Sequence, residues 1–588
     1  MDLQKRKELV EVALGKREAD LVLKNGNLIN VFSGEIYKAN VYIYDKYIAN
    51  IIECELDTIN LGKHIVDINN KFISPGFIDS HVHIESSHLT PVNFARAVLP
   101  KGTTTIIADP HEIANVLGID GVKYMLENSK NVPMNQFYLI PSCVPSVLGL
   151  ENAGAEFNDV DIEKMLDLPR VLGLGEVMDF VGVINQSDRM TKIVDAALKK
   201  NVFVQGHAPG VNGNELSAYI CGGPTSCHET TIGSHAAEKI RKGMYVDARE
   251  SSISRNISSI VESLKNMKSP RNLTLCTDDR EPREILEIGH INNCIRVAVK
   301  AGLDPIEAIR ASTLNTAQEY RLDKIGAIAP GYFADIVVLD DLINFNVLKT
   351  FWQGKLIAEN DKLVVEIKSP KLNIETLNSI YINDLSENDF KIKAPIENGD
   401  IKIEVLSYLT MERTITTRKT ISVKAKNGFI DISENCNLNF VAIVNRHKSN
   451  NNIALAVVEN FYLKDGAVGS TYSHDSHNLT IIFNKSIEAL EITKKIKEIR
   501  GGIVTSENGL ITGTLPFPIA GVLSDQPVEI LVNEITKMNE ILRKMGIESP
   551  SPITAPSTLA LIVIPDVKMS DLGLIDVKEQ KIINIFSN

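Results

Sequence analysis

From Lys71 onward, short apolar runs alternate with longer stretches that carry helix formers at apolar spacing, and no other feature limits the possible folds as severely. The runs are Phe72 to Ile78, Thr104-Thr105-Ile106-Ile107-Ala108, Phe137 to Ile140, Val171 to Leu174, Val202-Phe203-Val204, Gly243 to Val246 and Leu273-Thr274-Leu275. Between them, Ile113 to Asn128 and Thr191 to Lys200 have the spacing of amphipathic helices. Parallel strands need a crossover between them, usually helical, so strand then helix over about 250 residues predicts a (β/α)8 TIM-like barrel. Seven runs read as strands, and a short one before Cys227 makes eight.

The flanks read differently. The first residues, to about Gly15, form an amphipathic helix with mixed charges and no apolar stretch of the kind a secretory signal needs. From Asp20 to Ile68 short strands are separated by turn residues such as Asn25-Gly26-Asn27, as in a small β-module. After Pro330-Gly331 strands return, at Ala334 to Leu339 and Leu348 to Trp352, and these are expected to rejoin that module. A polar stretch from about Ser369 to Asp400 reads as a linker or covering segment. Beyond it, Val441 to His447, Thr480 to Phe483, Ile487 to Arg500 and Val528 to Lys544 give strands and helices for a further unit. The predicted class is therefore α/β: a (β/α)8 TIM-like barrel, a small β-module built from both flanks, and an additional C-terminal α/β domain. The predicted boundaries are 1–70 for helix and module, 71–325 for the barrel, 326–375 for the return and 376–588 for the C-terminal domain.

A chain of 588 residues with 44% apolar content is too long for one core, so several domains are expected. A net charge of -12 argues against a nucleic-acid-binding surface and favours small-molecule chemistry. The seven cysteines are scattered without a C-x-x-C pair, which reads as reduced thiols in a cytoplasmic protein. The late apolar run Leu559 to Ile564 is far short of the roughly 18 residues of a membrane span. A homo-oligomer is the common expectation for such a protein.

Active sites of (β/α)8 barrels lie at the C-terminal ends of the strands, so the residues that follow each run carry the chemistry. They are His81 and His83, then Asp109 with His111 and Glu112, then Glu176, His207, His228 and Asp278. His81 and His83 are two apart, and side chains at i and i+2 of a strand share a face. A lone pair of this kind could be a surface or core feature, but nine of the twelve histidines lie before residue 300 and recur at strand ends. Four histidines with two carboxylates offer mixed nitrogen and oxygen donors for Zn, Mn or Fe. Two ions about 3.5–4 Å apart could share a water and lower its pKa toward neutrality.

These residues also carry a family resemblance. The blocks P-G-F-I-D-S-H-V-H-I-E-S-S from Pro75, A-D-P-H-E-I-A-N-V-L-G from Ala108, G-E-V-M from Gly175, G-H-A-P-G from Gly206, C-H-E-T from Cys227, T-D-D-R from Thr277 and Y-S-H-D-S-H-N from Tyr472 resemble the adenine deaminases of the amidohydrolase superfamily. The similarity runs over essentially the whole chain, including the C-terminal domain. It implies a purine-salvage enzyme that converts adenine and water to hypoxanthine and ammonia on two divalent ions, Mn or Fe, with Zn also open. It further implies that His81 and His83 bind one ion, Glu176 bridges, His207 and His228 serve the second, and Asp278 binds metal and handles the proton of the attacking water. Asp279 is then structural. Glu85, Glu112 and Glu229 remain alternatives for protonating the ring, and Asp109 and His111 are expected nearby. His474 and His477 have two readings, a hydrogen-bonded turn or residues lent to the barrel mouth or to a subunit contact.

Two other signatures fail. His83-Ile84-Glu85 matches the H-x-E half of a second zinc-deaminase signature, but the P-C-x-x-C half is absent. Gly173-Leu174-Gly175 lacks the rest of a nucleotide-binding glycine loop. A cyclic-amide hydrolase with the same ligands is the alternative activity; a non-catalytic barrel scaffold would be expected to have lost ligands.

Overall fold

A computed structural model describes residues 1–586 except 58, 60, 269, 371–376, 410–414, 448–449, 451 and 565. The helix Leu3–Ala13 is capped by Asp2, whose carboxylate accepts the Lys5 N–H at 2.8 Å, and the chain turns at Gly15 with φ +68°. The expected turn at Asn25-Gly26-Asn27 is instead a bulge inside one long strand, Ala19–Asn30, where the register shifts between Leu23 and Gly26. A Cβ at Gly26 would run into the Ile73 side chain, so the strand needs glycine for a close approach rather than for a reversal.

Both flanks meet in one sheet. Phe72–Pro75 lies parallel to Ala19–Asn30 and antiparallel to Ile336–Leu339, with Ile336 opposite Pro75. The chain then enters a curled parallel sheet whose successive neighbours are Phe77–His83, Thr103–Ala108, Asn135–Ile140, Val171–Val177 and Phe203–Gly206. Ser226–Cys227, Tyr245–Arg249 and Leu273–Cys276 follow as a second parallel set. Directly beyond it, Asp278–Asp279 pairs with the first strand, Asp278 opposite Val82. The short strand before Cys227 is thus present. Between Phe203–Gly206 and Ser226–Cys227 no continuous ladder occurs among the described residues; the Thr225 N–H to Val204 carbonyl bond at 3.0 Å crosses the gap. Pro224, which has no N–H to give, lies beside this seam.

Two local readings shift. Ile113 to Asn128 is two helices, His111–Leu117 and Ile119–Asn128, broken at Gly118 with φ +61°. The strand expected at Gly243 to Val246 lies at Tyr245–Arg249, because Gly243, at φ +85°, is still ending the preceding helix.

The C-terminal domain is strand-rich. A nine-stranded sheet carries the helices Ser486–Ile499 and Val528–Lys544, and its hairpin Gly399–Tyr408 with Thr416–Lys426 is not among the elements expected from the sequence. Part of the polar stretch from Ser369 lies outside the described residues; its later part holds a 3-10 turn, Glu387–Phe390. One apolar cluster runs from the barrel side (Val92, Phe94, Met125) into the C-terminal domain (Val522, Leu523, Leu531), all fully or almost fully buried. His88 stacks on Phe517 with ring centroids 4.3 Å apart, and the Ser524 N–H donates to the His88 carbonyl at 2.8 Å. The C-terminal domain is therefore packed over the loops that follow the first barrel strands. No helix of the described residues is long and apolar enough to cross a membrane.

Candidate metal centre and its surroundings

The strand Phe77–His83 is buried along its whole length and ends in two imidazoles on one face. His81 Nε2 and His83 Nε2 stand 3.1 Å apart. The His83 Nδ1–H donates to the Asp109 carbonyl at 3.0 Å, which leaves the Nε2 lone pair turned inward. Asp278 Oδ1 lies 3.4 Å from His81 Nε2 and 3.3 Å from His83 Nε2. Asp278 reaches this position from a left-handed backbone conformation, φ +56°.

Glu176, near the end of Val171–Val177, lies between two histidine pairs. Its Oε1 is 3.2 Å from His83 Nε2 and 3.9 Å from His81 Nε2, while Oε2 is 2.5 Å from His207 Nδ1 and 3.2 Å from His228 Nε2. Asp109 holds this residue from behind, Oδ2 accepting the Glu176 N–H at 2.9 Å. Gly175 makes that approach possible, since a Cβ there would collide with the same carboxylate. His111 completes the ring, its Nδ1 3.3 Å from Glu176 Oε1.

The electrostatics follow from these contacts. Burial favours the neutral acid of Glu176, but His228, His111 and His207 outweigh it and hold the carboxyl well below its usual range. Burial likewise opposes the charge on Asp278; Arg249 and the two strand histidines override it and hold it well below its usual range. Inward imidazole nitrogens and ionised carboxylates thus converge as His81–His83–Asp278, His81–Glu176–His228, His83–His111–Glu176 and His207–His228–Glu229. This donor set fits divalent cations such as Mn, Fe or Zn.

The three carboxyls left open as proton donors have different settings. Glu229 is gripped by Arg249, at 2.5 and 2.9 Å, and its side chain is 19% exposed. Glu85 is fully enclosed; Oε1 accepts the Ile113 N–H at 3.3 Å, and burial raises its pKa to about 7. Glu112 is also enclosed, and both of its oxygens face C-terminal histidines: Oε1 lies 2.6 Å from His474 Nδ1, and Oε2 accepts from His477 Nε2.

Some residues of the site escaped the sequence reading. Arg249 links Asp278 Oδ2, at 2.5 Å, to Glu229. It ends the strand Tyr245–Arg249, so the rule of reading each strand end would have found it had the strand been placed two residues later. Asp79, which directly follows the first apolar run and lies inside the strand Phe77–His83, accepts the Thr277 N–H at 3.1 Å and the Thr277 hydroxyl at 2.5 Å, and so pins the Thr277-Asp278-Asp279 turn to the first strand. Asp279 itself accepts from Ser86, which also receives the Tyr472 hydroxyl at 3.0 Å.

Residues 72–357 match the amidohydrolase family model, and residues 413–581 match the adenine deaminase C-terminal domain model. The chain is 39% identical to an adenine deaminase of Clostridium acetobutylicum, over 97% of this chain and 98% of that one. It is 38% identical to an adenine deaminase of Kosmotoga olearia, over 98% of both chains. Against an adenine deaminase of Thermosipho africanus the identity is 39%, over 98% of this chain and 99% of the relative.

Proposed function

The chain belongs to the adenine deaminase family, and on that premise we propose that it hydrolyses adenine to hypoxanthine and ammonia. The observation that carries this reading is identity of 38–39% to adenine deaminases along nearly the whole chain, C-terminal domain included. His81 and His83 would hold one divalent ion and His207 and His228 a second, with Glu176 between them and Asp278 on the first. Such a pair, Mn or Fe in our reading, supplies an activated water and positive charge at the reacting carbon.

The chain's own residues do the rest. Asp278 keeps Oδ1 toward the histidines and Oδ2 on Arg249, so it is held ionised and aimed to accept the proton of the attacking water. Attack at C6 also requires a proton at N1 and another on the departing amine. Of the three candidate carboxyls, Glu229 stands at the open side, where His207 is 17% exposed, whereas Glu85 and Glu112 are buried, Glu112 against His474 and His477 of the C-terminal domain. We therefore assign ring contact to Glu229. Burial opposes its charge, but Arg249 overrides burial and holds it ionised, so it meets the ring as an acceptor. The proton that Asp278 takes from the attacking water is then the one passed to N1 and the departing amine. Arg249 spans Glu229 and Asp278, which gives the two carboxylates one shared counter-charge.

The seven free cysteines support a reducing, cytoplasmic setting, and purine salvage by a homo-oligomer is part of the same proposal. The test is ammonia release by the Mn-loaded protein from adenine, adenosine and a dihydropyrimidine. Adenine should be far preferred; comparable turnover of adenosine, or ring opening of the dihydropyrimidine without ammonia from adenine, would remove the assignment.

A further inference from the structure

The loop Tyr472 to Asn478 brings two imidazoles of the C-terminal domain onto one carboxylate of the barrel. His474 Nδ1 lies 2.6 Å from Glu112 Oε1, and His477 Nε2 contacts Glu112 Oε2. The Ser473 N–H donates to His477 Nδ1 at 3.1 Å, so that nitrogen is an acceptor and Nε2 carries the hydrogen given to Glu112. The loop is itself held from below. Buried Arg446 donates to the His477 carbonyl and, at 3.5 Å, to the Thr471 carbonyl, so both ends of the loop hang on one guanidinium.

Glu112 in turn faces His111, with Oε1 3.7 Å from Nε2, and the other nitrogen of that ring is 3.3 Å from Glu176 Oε1. A line of contacts therefore runs from the C-terminal domain through Glu112 and His111 to the carboxylate at the middle of the metal centre. The charges agree with it. Burial alone would lower His474, but the Glu112 carboxylate overrides it and takes the imidazolium to about 9; burial of His477 keeps that ring neutral, with its pKa near 4.

We propose that His474 and His477 are positioning residues for the deamination, holding Glu112 so that it fixes the orientation of His111 against Glu176. The inference rests on the deaminase reading above, and it assigns the C-terminal domain a part in the active site. Neither histidine is among the six residues assigned to the ions, so their loss should lower turnover and leave metal content intact.

The two histidines use different nitrogens, and this gives a test that a purely structural role would not satisfy. Asparagine places its amide nitrogen near the Nδ1 position and glutamine near the Nε2 position. His474→Asn and His477→Gln should therefore stay within about threefold of the native kcat, while His474→Gln and His477→Asn should lose about 10–100-fold, the usual cost of removing an outer partner of a metal centre. His477→Asn is the sharper variant, since its side-chain oxygen can still accept the Ser473 N–H and keep the loop. In all four, KM for adenine and Mn per chain should stay within about threefold of the native values, the outer-partner effect falling on turnover. A native kcat in His477→Asn, the same order of Asn and Gln at both positions, or activity lost in step with Mn would overturn the proposal. If His477→Asn does not fold, the order at His474 alone decides. A native protein that releases no ammonia from adenine would instead sink the deaminase reading, so the two failures are distinguishable.

Discussion

Glu176 carries opposed loads: five imidazoles draw on its two oxygens, and burial works against its charge. Glu176→Gln keeps the shape but removes the negative charge and turns one acceptor into a donor aimed at histidine nitrogens. We expect it to bind fewer than two ions per chain and to lose at least about 10²–10³ in turnover, the scale of a lost oriented catalytic interaction. Asp278→Asn keeps Oδ1 as an acceptor toward His81 and His83 while losing the charge paired with Arg249, so more metal should remain and proton handling should fail. Metal analysis and turnover on both variants after Mn loading check the pair of outcomes. Two tightly held ions with near-native turnover in Glu176→Gln would withdraw the bridging assignment. At this scale the residues named from sequence lie together because strand ends share one rim. Which partner orients which residue, Arg249 on Asp278 and Asp79 on Thr277, was hidden because those contacts span 29 and 198 positions.

The elements position the site by close packing as much as by hydrogen bonding. Val171–Val177 must pass near enough to Asp109 for the Glu176 N–H to reach its carboxylate, and Gly175 has no side chain to keep them apart. Gly175→Ala should force the strand or Asp109 outward at a cost of about 1–3 kcal/mol, as overpacking does. The urea midpoint and the Mn affinity should both fall. An alanine variant with native stability and metal content would show that the strand has slack there. Element identity was readable from periodicity, since an apolar run bounded by turn residues stays a strand wherever it packs. Boundaries were less so: a glycine at φ +85° delayed one strand, and a bulge turned an expected loop into the middle of another. The hairpin Gly399–Tyr408 with Thr416–Lys426 does carry a strand period, Ile401, Ile403 and Val405 alternating with Lys402 and Glu404, and Ile421, Val423 and Ala425 alternating with Ser422 and Lys424. It went unread because alternation with polar and charged residues breaks up any contiguous apolar run.

Across the whole molecule, the seam between barrel and C-terminal domain combines an apolar cluster with the buried Glu112–His474 ion pair. The pair makes docking sensitive to pH. His474 is raised from 6.5 to about 9 in the folded protein, against the effect of burial and by the charge of Glu112. Its contribution is therefore complete below about pH 6.5 and is lost as pH rises through about 9. Glu112, held low by His474 and His477 despite its burial, contributes above its ordinary range near 4.5 and loses that contribution in acid. The urea midpoint should fall between pH 6.5 and 9.5 by an amount equivalent to on the order of 2 kcal/mol. That slope should be flattened in His474→Asn; an equal slope in both proteins would show that the seam does not titrate through this histidine.

The amino-acid sequence by itself determined the alternation of strands and helices in the barrel, the return of the second flank to the first, and the collection of the strand-end residues His81, His83, Asp109, His111, Glu112, Glu176, His207, His228 and Asp278 at one rim. All three follow from short-range periods, 2.0 for strands and 3.6 for helices, and from the directional rule that strand ends of a parallel sheet share an edge. Only the tertiary structure decided which carboxylate meets which partner. Glu112 and His477 are 365 positions apart, and no local period relates them; their contact exists because a shared apolar core seats the C-terminal domain over the barrel strands and Arg446 holds the loop that reaches across. That packing covers Glu112, while Glu85 is buried beside it and Glu229 stays at the open side of the site, a distinction among three glutamates that are alike in sequence and separated by burial.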